Sequence, residues 1–247
     1  MLLDLDDTLI DTRTAMHAAG TYAAGRLWPG ASPERLARSG ERFRADPGRH
    51  FGAFTRGEVD FAEMRRRRIA ELAAWLGQAE VSGQREAFEA AYEPEFTAGL
   101  RVFNDVAACL AALANCRLPV GVLTNSGADY TQRKLAETGL APLLGTICTR
   151  DTLGIGKPDP RAFHEACRQL GTAPAQTLYV GDEWLPDALG AADAGLIAAW
   201  LVRDPDTLDD PSRERAAGRG IPILPDLLAV PALAGCASDL GARGSGR

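Results

Sequence analysis

The sequence predicts a parallel α/β sheet interrupted by an all-helical insertion. Three observations carry this expectation. A short apolar segment near the N-terminus, Leu2-Leu3-Asp4-Leu5-Asp6, ends in carboxylates. From residue 12 to about 96, Leu, Ala, Phe, Met and Trp recur at three- and four-residue intervals, the period of a helix. After Thr97-Ala98-Gly99, short β-rich runs alternate with helical stretches, as in parallel strands joined by helical crossovers.

Element by element, strands are expected at 2–6, 118–124, 145–149, 177–181, 196–202 and, weakly, 221–224. Helices are expected at 104–115, 129–138, 160–170 and 186–194, with a short one near the end. Within 12–96, breaks at Pro29-Gly30, Asp46-Pro47-Gly48 and Ser82-Gly83 divide the pattern into four or five helices, the first capped by Asp11. The expected organisation is an α/β core from 1–11 and 97–233, a helical domain from 12–96, and a Gly-, Ala-, Ser- and Arg-rich tail, 234–247, that frays.

Composition narrows the function. The 247 residues are 46% hydrophobic and 24% charged, a globular balance. A net charge of −6 argues against a general nucleic-acid binder. No uncharged apolar run approaches the ~20 residues of a membrane helix, and no basic segment leads into an apolar stretch at the start. Five cysteines without a Cys-x-x-Cys pair, beside three histidines, fit neither a zinc site nor a disulfide scaffold. Each is expected as a small buried hydrophobe in a cytoplasmic protein. Among the cations, 25 are Arg and two are Lys, at 134 and 157. Where Lys is so scarce, its compact ammonium is expected to be there for its chemistry. Residues 12–95 carry 13 Arg against 12 acids, so the insertion is +1 and the rest −7, as suits a lid over an anionic substrate.

Open parallel sheets bind ligands beyond the carboxyl ends of their strands. The predicted strand ends carry Asp4-Leu5-Asp6-Asp7-Thr8, Thr124-Asn125-Ser126, Gly156-Lys157-Pro158-Asp159-Pro160, and Gly181-Asp182 with Asp187 five residues on. Several carboxylates on one spot are unfavourable without a counter-ion. A hard divalent cation held by oxygens, Mg²⁺, is the usual solution, and a lysine beside it suits a substrate bringing further negative charge. A carboxylate can attack phosphorus, and a second can protonate the leaving oxygen.

These four segments, in order, resemble the four motifs of the haloacid dehalogenase (HAD) superfamily, in the branch with a helical cap between motifs one and two. Asp4-Leu5-Asp6-Asp7-Thr8-Leu9 is similar to the first, Val122-Leu123-Thr124-Asn125 to the second, Gly156-Lys157-Pro158-Asp159-Pro160 to the third and Gly181-Asp182-Glu183-Trp184-Leu185-Pro186-Asp187 to the fourth. The resemblance spans roughly 1–205 and implies a Rossmann-like core with an inserted cap. It implies Asp4 as nucleophile and Mg²⁺ ligand, and Asp6 as acid/base that also offers its carbonyl to the metal. It implies Thr124 and the Asn125 N–H at the phosphoryl group, with Thr8 holding the turn and counted with Asn125 among the substrate-binding residues. Lys157 would neutralise phosphoryl oxygens and Asp4, Asp182 would ligate the metal, and Asp187 would anchor it directly or through water. Dehalogenases of this superfamily generally lack the second carboxylate, so Asp6 favours phosphate-ester hydrolysis. A 2-haloacid dehalogenase, a phosphomutase and a non-catalytic binding protein are the alternatives.

The implied partner is a small phosphorylated metabolite, a nucleoside monophosphate or sugar phosphate, with no nucleic acid or membrane and a monomeric or homodimeric state. The substrate class rests on Phe51–Asp60, which looks similar to the cap segment of nucleotidase and acylneuraminate-phosphatase relatives. Arg65-Arg66-Arg67-Arg68 reads as a solvated helix face, since successive helical residues diverge and at most one or two can face a site. His17 and His50 are candidate cap contacts to substrate, and His164 has no assigned role. Three departures stand out: only three residues precede Asp4, Asp7 occupies a place where many relatives have Gly, and Glu183-Trp184 replaces a small hydroxyl residue. Trp184 is expected to pack under the cap.

Overall fold

A computed structural model describes residues 1–79 and 81–236. Six parallel strands form one sheet in the order β3-β2-β1-β4-β5-β6. They are β1 (Leu2–Leu3), β2 (Gly121–Thr124), β3 (Thr146–Thr149), β4 (Leu178–Gly181), β5 (Ile197–Leu201) and β6 (Ile223–Leu224). Leu3 lies between Val122 and Val180, and all three are fully buried, as expected for a central parallel strand covered on both faces. Strand order reverses at β1, so the crevice beyond its carboxyl end is where an α/β sheet opens for a ligand.

The strands are shorter than expected, for local reasons. At β1 the pairing stops after Leu3. The Asp4 N–H still reaches Val180 O at 2.9 Å, but Leu9 and Ile10 N–H then turn back to Leu5 O. The chain leaves the sheet at its first carboxylate. Ahead of β2, Leu118 N–H returns to Leu113 O, and Pro119 has no N–H to donate, so pairing begins at Gly121.

Six helices lie between β1 and β2, and the first five form the inserted block: α1 (Thr12–Leu27), α2 (Pro33–Ala45), α3 (His50–Thr55), α4 (Phe61–Trp75) and α5 (Gln84–Gly99). Asp11 caps α1 through Thr14 N–H at 2.9 Å, as expected, and Asp60 caps α4 through Glu63 N–H at 2.7 Å. Helix α1 packs along α2 and α5. Phe43, Phe88 and Tyr92 cluster at the centre of this block. The crossovers are α6 (Val106–Asn115), α7 (Ala128–Thr138), α8 (Arg150–Leu153) and α9 (Pro160–Leu170).

The helix expected at 186–194 is instead a π-helical turn, Trp184–Leu189, followed by α10 (Gly190–Asp193). Two further helices follow, α11 (Asp210–Gly218), which was not foreseen, and the short α12 (Val230–Leu233). Cys109, Cys148 and Cys167 are free and buried, as expected. Cys116 and Cys236 correct that reading: they form a disulfide closing 120 residues of chain, a pairing that no local spacing reveals. Of the predicted tail 234–247, residues 237–247 lie outside the described residues. Among the described residues no helix is long and apolar enough to cross a membrane.

Candidate active site

The sheet brings three of the four segments to one buried lysine. Lys157 Nζ donates to Asp4 Oδ1 at 2.6 Å, to Asp187 Oδ1 at 2.6 Å and to the Tyr179 hydroxyl at 2.8 Å. All four side chains are buried. Tyr179 OH donates in turn to Asp187 Oδ1 at 2.8 Å, and Asp187 Oδ2 accepts from Glu183 N–H at 3.0 Å. Both oxygens of Asp187 are therefore committed to positioning Lys157 and the 181–183 loop. Burial and its two carboxylate partners oppose one another at Lys157, and the carboxylates hold its ammonium well above the usual lysine range.

Two glycines make this convergence possible. A Cβ on Gly181 would lie 2.4 Å from Asp187 Cγ, so only glycine lets that carboxylate fold back onto the strand end. The π-helical turn assists, because Asp187 and Ala188 N–H both return to Glu183 O at 3.2 Å. A Cβ on Gly156 would lie 2.6 Å from Asn125 Oδ1. That close approach lets the Asn125 amide clamp the backbone of Lys157, accepting from its N–H at 2.7 Å and donating to its carbonyl at 2.9 Å. Thr124 is buried at the end of β2, where its hydroxyl accepts from Ser126 N–H at 3.1 Å.

The turn after β1 holds the remaining residues. Asp7 is in the left-handed region at φ 58°, which Asp tolerates better than most side chains and which Gly would adopt without strain. Its carboxylate accepts from Arg13 N–H at 2.7 Å and from the Thr12 hydroxyl at 3.1 Å, so Asp7 ties the turn to the start of α1. Asp6 is bound through both oxygens by Lys134 Nζ, at 2.6 and 2.8 Å, and Lys134 also donates to Ser126 Oγ at 2.9 Å. Lys134 was the residue missed: its only sequence signal was the scarcity of lysine. Thr8 corrects the expectation of substrate binding. It is fully buried and is not among the residues lining the cavity at the site, its hydroxyl has no partner among the described residues, and its carbonyl accepts from Arg203.

Asp4, Asp182 and Asp187 offer carboxylate oxygens that all lie within 4.8 Å of one another. Burial raises the Asp4 carboxyl well above the usual carboxylate range, with Lys157 opposing. Burial raises Asp182 as well, reinforced by Asp4 and Asp187, and its nearest cation is Arg13 at 3.8 Å. Crowded, desolvated, oxygen-only donors with too little positive charge nearby fit a hard divalent cation such as Mg²⁺.

Between this floor and the inserted helices lies a cavity of about 720 Å³. Asp4, Asp6, Thr124, Asn125, Lys157 and Asp182 all line it. From Phe51–Asp60, the residues Phe51, Gly52, Phe54 and Arg56 reach it, whereas His17 and His50 do not. His17 is exposed and His50 pairs with Glu71 at 3.2 Å. The arginine run divides. Arg66 and Arg67 are solvated beside Glu63, but Arg65 and Arg68 are 4% and 7% exposed and face the cavity, correcting the solvated-face reading for those two. Trp184 does not pack under the cap. It packs against Trp200 of β5 with ring centroids 5.0 Å apart and the rings tilted at 56°, and Trp200 Nε1 donates to Asp182 O at 2.8 Å.

A family model for haloacid dehalogenase-like hydrolases matches residues 1–195. The chain belongs to this family. It is 31% identical over 234 residues to the phosphoserine phosphatase of Thermus thermophilus, covering 85% of this chain and 93% of that protein. Among solved structures, the HAD-hydrolase YfnB from Bacillus subtilis, bound to magnesium, matches with a TM-score of 0.75 at 18% identity, over 95% of this chain and 97% of that one. The L-2-haloacid dehalogenase from Xanthobacter autotrophicus matches with a TM-score of 0.69 at 22% identity, over 96% and 98%. At such identities the two structures establish the fold. The Thermus thermophilus relative and the phosphoglycolate phosphatase of Yersinia pseudotuberculosis, 31% identical over 47% of this chain and 49% of that protein, are both named as phosphatases, in keeping with a phosphoric monoester hydrolase.

Proposed function

We propose that this HAD enzyme hydrolyses a small phosphorylated metabolite through a phosphorylated Asp4, with Mg²⁺ as cofactor and residues 12–96 as the cap over a core of 1–11 and 97–233. The observation that carries the reading is the junction of Asp4, Lys157 and Asp187 beside Asp182 at the floor of the cavity. Asp4 and Asp182 would hold the cation with the Asp6 carbonyl. Asp187, whose oxygens are already engaged, would be an indirect anchor. When bound, the metal supplies positive charge against the phosphoryl oxygens and Asp4.

A carboxylate oxygen of Asp4 forms a bond to phosphorus while the ester P–O bond breaks. Lys157 and the Asn125 N–H stabilise the phosphoryl oxygens, with Thr124 beside them. Asp6 gives its proton to the departing oxygen. It then takes a proton from the water that attacks the phosphorus of the acyl phosphate, releasing inorganic phosphate and restoring Asp4. Asp6 is what separates this chemistry from dehalogenation, because a halide leaves without a proton. Release of phosphate from p-nitrophenyl phosphate, with and without Mg²⁺, tests the proposal. Wild type should turn over only with the metal and Asp4→Asn should not. Turnover of chloroacetate in place of phosphate esters would overturn it.

A further inference from the structure

The cavity is electrically two-sided. Its floor carries the carboxylates and two lysines already described. Its far wall, built by the inserted helices, presents Arg44, Arg49, Arg65 and Arg68, with Phe54 and Tyr92 among the rings between. Arg65 and Arg68 are the unusual pair. Their guanidinium carbons lie 5.1 and 4.5 Å from the centre of the Phe43 ring, and Arg65 is also 4.6 Å from that of Tyr92. These cation–π contacts hold both guanidinium groups against the rings.

Neither guanidinium is fully satisfied. Arg65 Nε donates to Glu89 at 3.3 Å, but its Nη2 has no hydrogen-bond partner and lies 3.7 Å from Glu93. Arg68 donates to Phe43 O at 2.5 Å, but its Nε has none and lies 3.6 Å from Asp46. The facing carboxylates are also shared with other cations: Glu89 binds Arg85, and Glu93 binds Arg133 and Tyr130. Arg44 and Arg49, on the same wall, make no ion pair among the described residues. Buried donors without acceptors are costly, and preorganised guanidinium N–H groups match the planar oxygens of carboxylate or phosphate.

Resting on the phosphatase reading, we propose that the leaving group of the substrate carries a second anion, a carboxylate or a second phosphoryl group, which Arg65 and Arg68 bind with Arg44 and Arg49 at the wall of the cavity opposite Asp4. The metal-bearing floor takes the scissile phosphate, and the basic wall selects what it is attached to.

The test is a set of matched esters: O-phosphoserine against O-phosphoethanolamine, 3-phosphoglycerate against glycerol 3-phosphate, and fructose 1,6-bisphosphate against fructose 6-phosphate. Within each pair the ratio of kcat/KM is independent of how much active enzyme a preparation contains, so a partly folded variant remains informative. Wild type should favour the more anionic member at least tenfold, and the pairs that show it distinguish carboxylate from phosphate. Arg68→Gln and the more exposed Arg44→Gln should each reduce that ratio, and the double variant should bring it near one. A wild-type ratio near one, or ratios unchanged by the substitutions while p-nitrophenyl phosphate is still hydrolysed, would overturn the inference alone. Failure to hydrolyse p-nitrophenyl phosphate or any of the esters with Mg²⁺ would overturn the phosphatase reading and this inference with it.

Discussion

Lys134→Met should distinguish proton delivery from phosphoryl binding. Lys134 is almost fully buried and makes three contacts, two to Asp6 at 2.6 and 2.8 Å and one to Ser126 at 2.9 Å. Charge-assisted hydrogen bonds of this kind contribute roughly 1.5–3 kcal/mol. The Asp6 side chain is 33% exposed, so water replaces part of the loss, leaving about 1–2 kcal/mol to orient it. If orientation of Asp6 is what the contact supplies, kcat/KM for an alkyl phosphate falls roughly 5–30-fold. p-Nitrophenyl phosphate, whose leaving group departs with little help from a proton, should fall markedly less. Steady-state kinetics on the two esters reads the difference, and circular dichroism checks the fold. An equal fall for both, or none for the alkyl ester, would refute the idea that Lys134 positions the acid.

Three other outcomes are expected. Asp4→Asn should reduce phosphate release by at least roughly 10³-fold while retaining the thermal transition, read by phosphate assay and differential scanning fluorimetry. Tyr179→Phe removes a buried hydroxyl held by Lys157, Asp187 and, at 3.2 Å, the Leu123 carbonyl. It should cost about 1–3 kcal/mol of stability and lower kcat, measured by urea unfolding and turnover. The third concerns pH. Folding raises the pKa of Asp4 and Asp182, mainly through burial, so the folded protein binds more protons than the unfolded chain above the ordinary carboxylate range. Metal-free stability should therefore decline as pH rises from there through the raised values, and Mg²⁺ should offset the decline. The Mg²⁺-induced rise in Tm should grow with pH over that window; a rise independent of pH would show that these carboxylates do not bind the ion.

Much of the site was legible because each strand end is locally marked. Asp4, Thr124 and Asp182 close apolar runs, and Lys157 stands between Gly and Pro in a chain that avoids lysine. What stayed hidden depends on geometry that sequence period does not encode. Lys134 sits midway along α7, marked only by the scarcity of lysine, and its partner appears only when the fold sets that helix beside the β1 turn and Asp6. The service of Asp7 as the tie to α1 requires its left-handed backbone, invisible in residue type alone. Arg65 and Arg68 share a charge run with two solvated neighbours, and only the packing of Phe43 and Tyr92 shows which two are inside. Thr8 matched its motif but faces inward, and the Cys116–Cys236 link joins residues 120 apart.

The central claim is that Asp4 carries the phosphoryl group during turnover. Acid quenching of the enzyme with a rapidly hydrolysed ester and Mg²⁺, followed by peptide mass mapping, addresses it directly. The account predicts one phosphoryl group on the N-terminal peptide, localised to Asp4 and absent from Asp4→Asn. Steady phosphate release with no phosphorylated Asp4 at any quench time, or with the phosphoryl group on another residue, would contradict it.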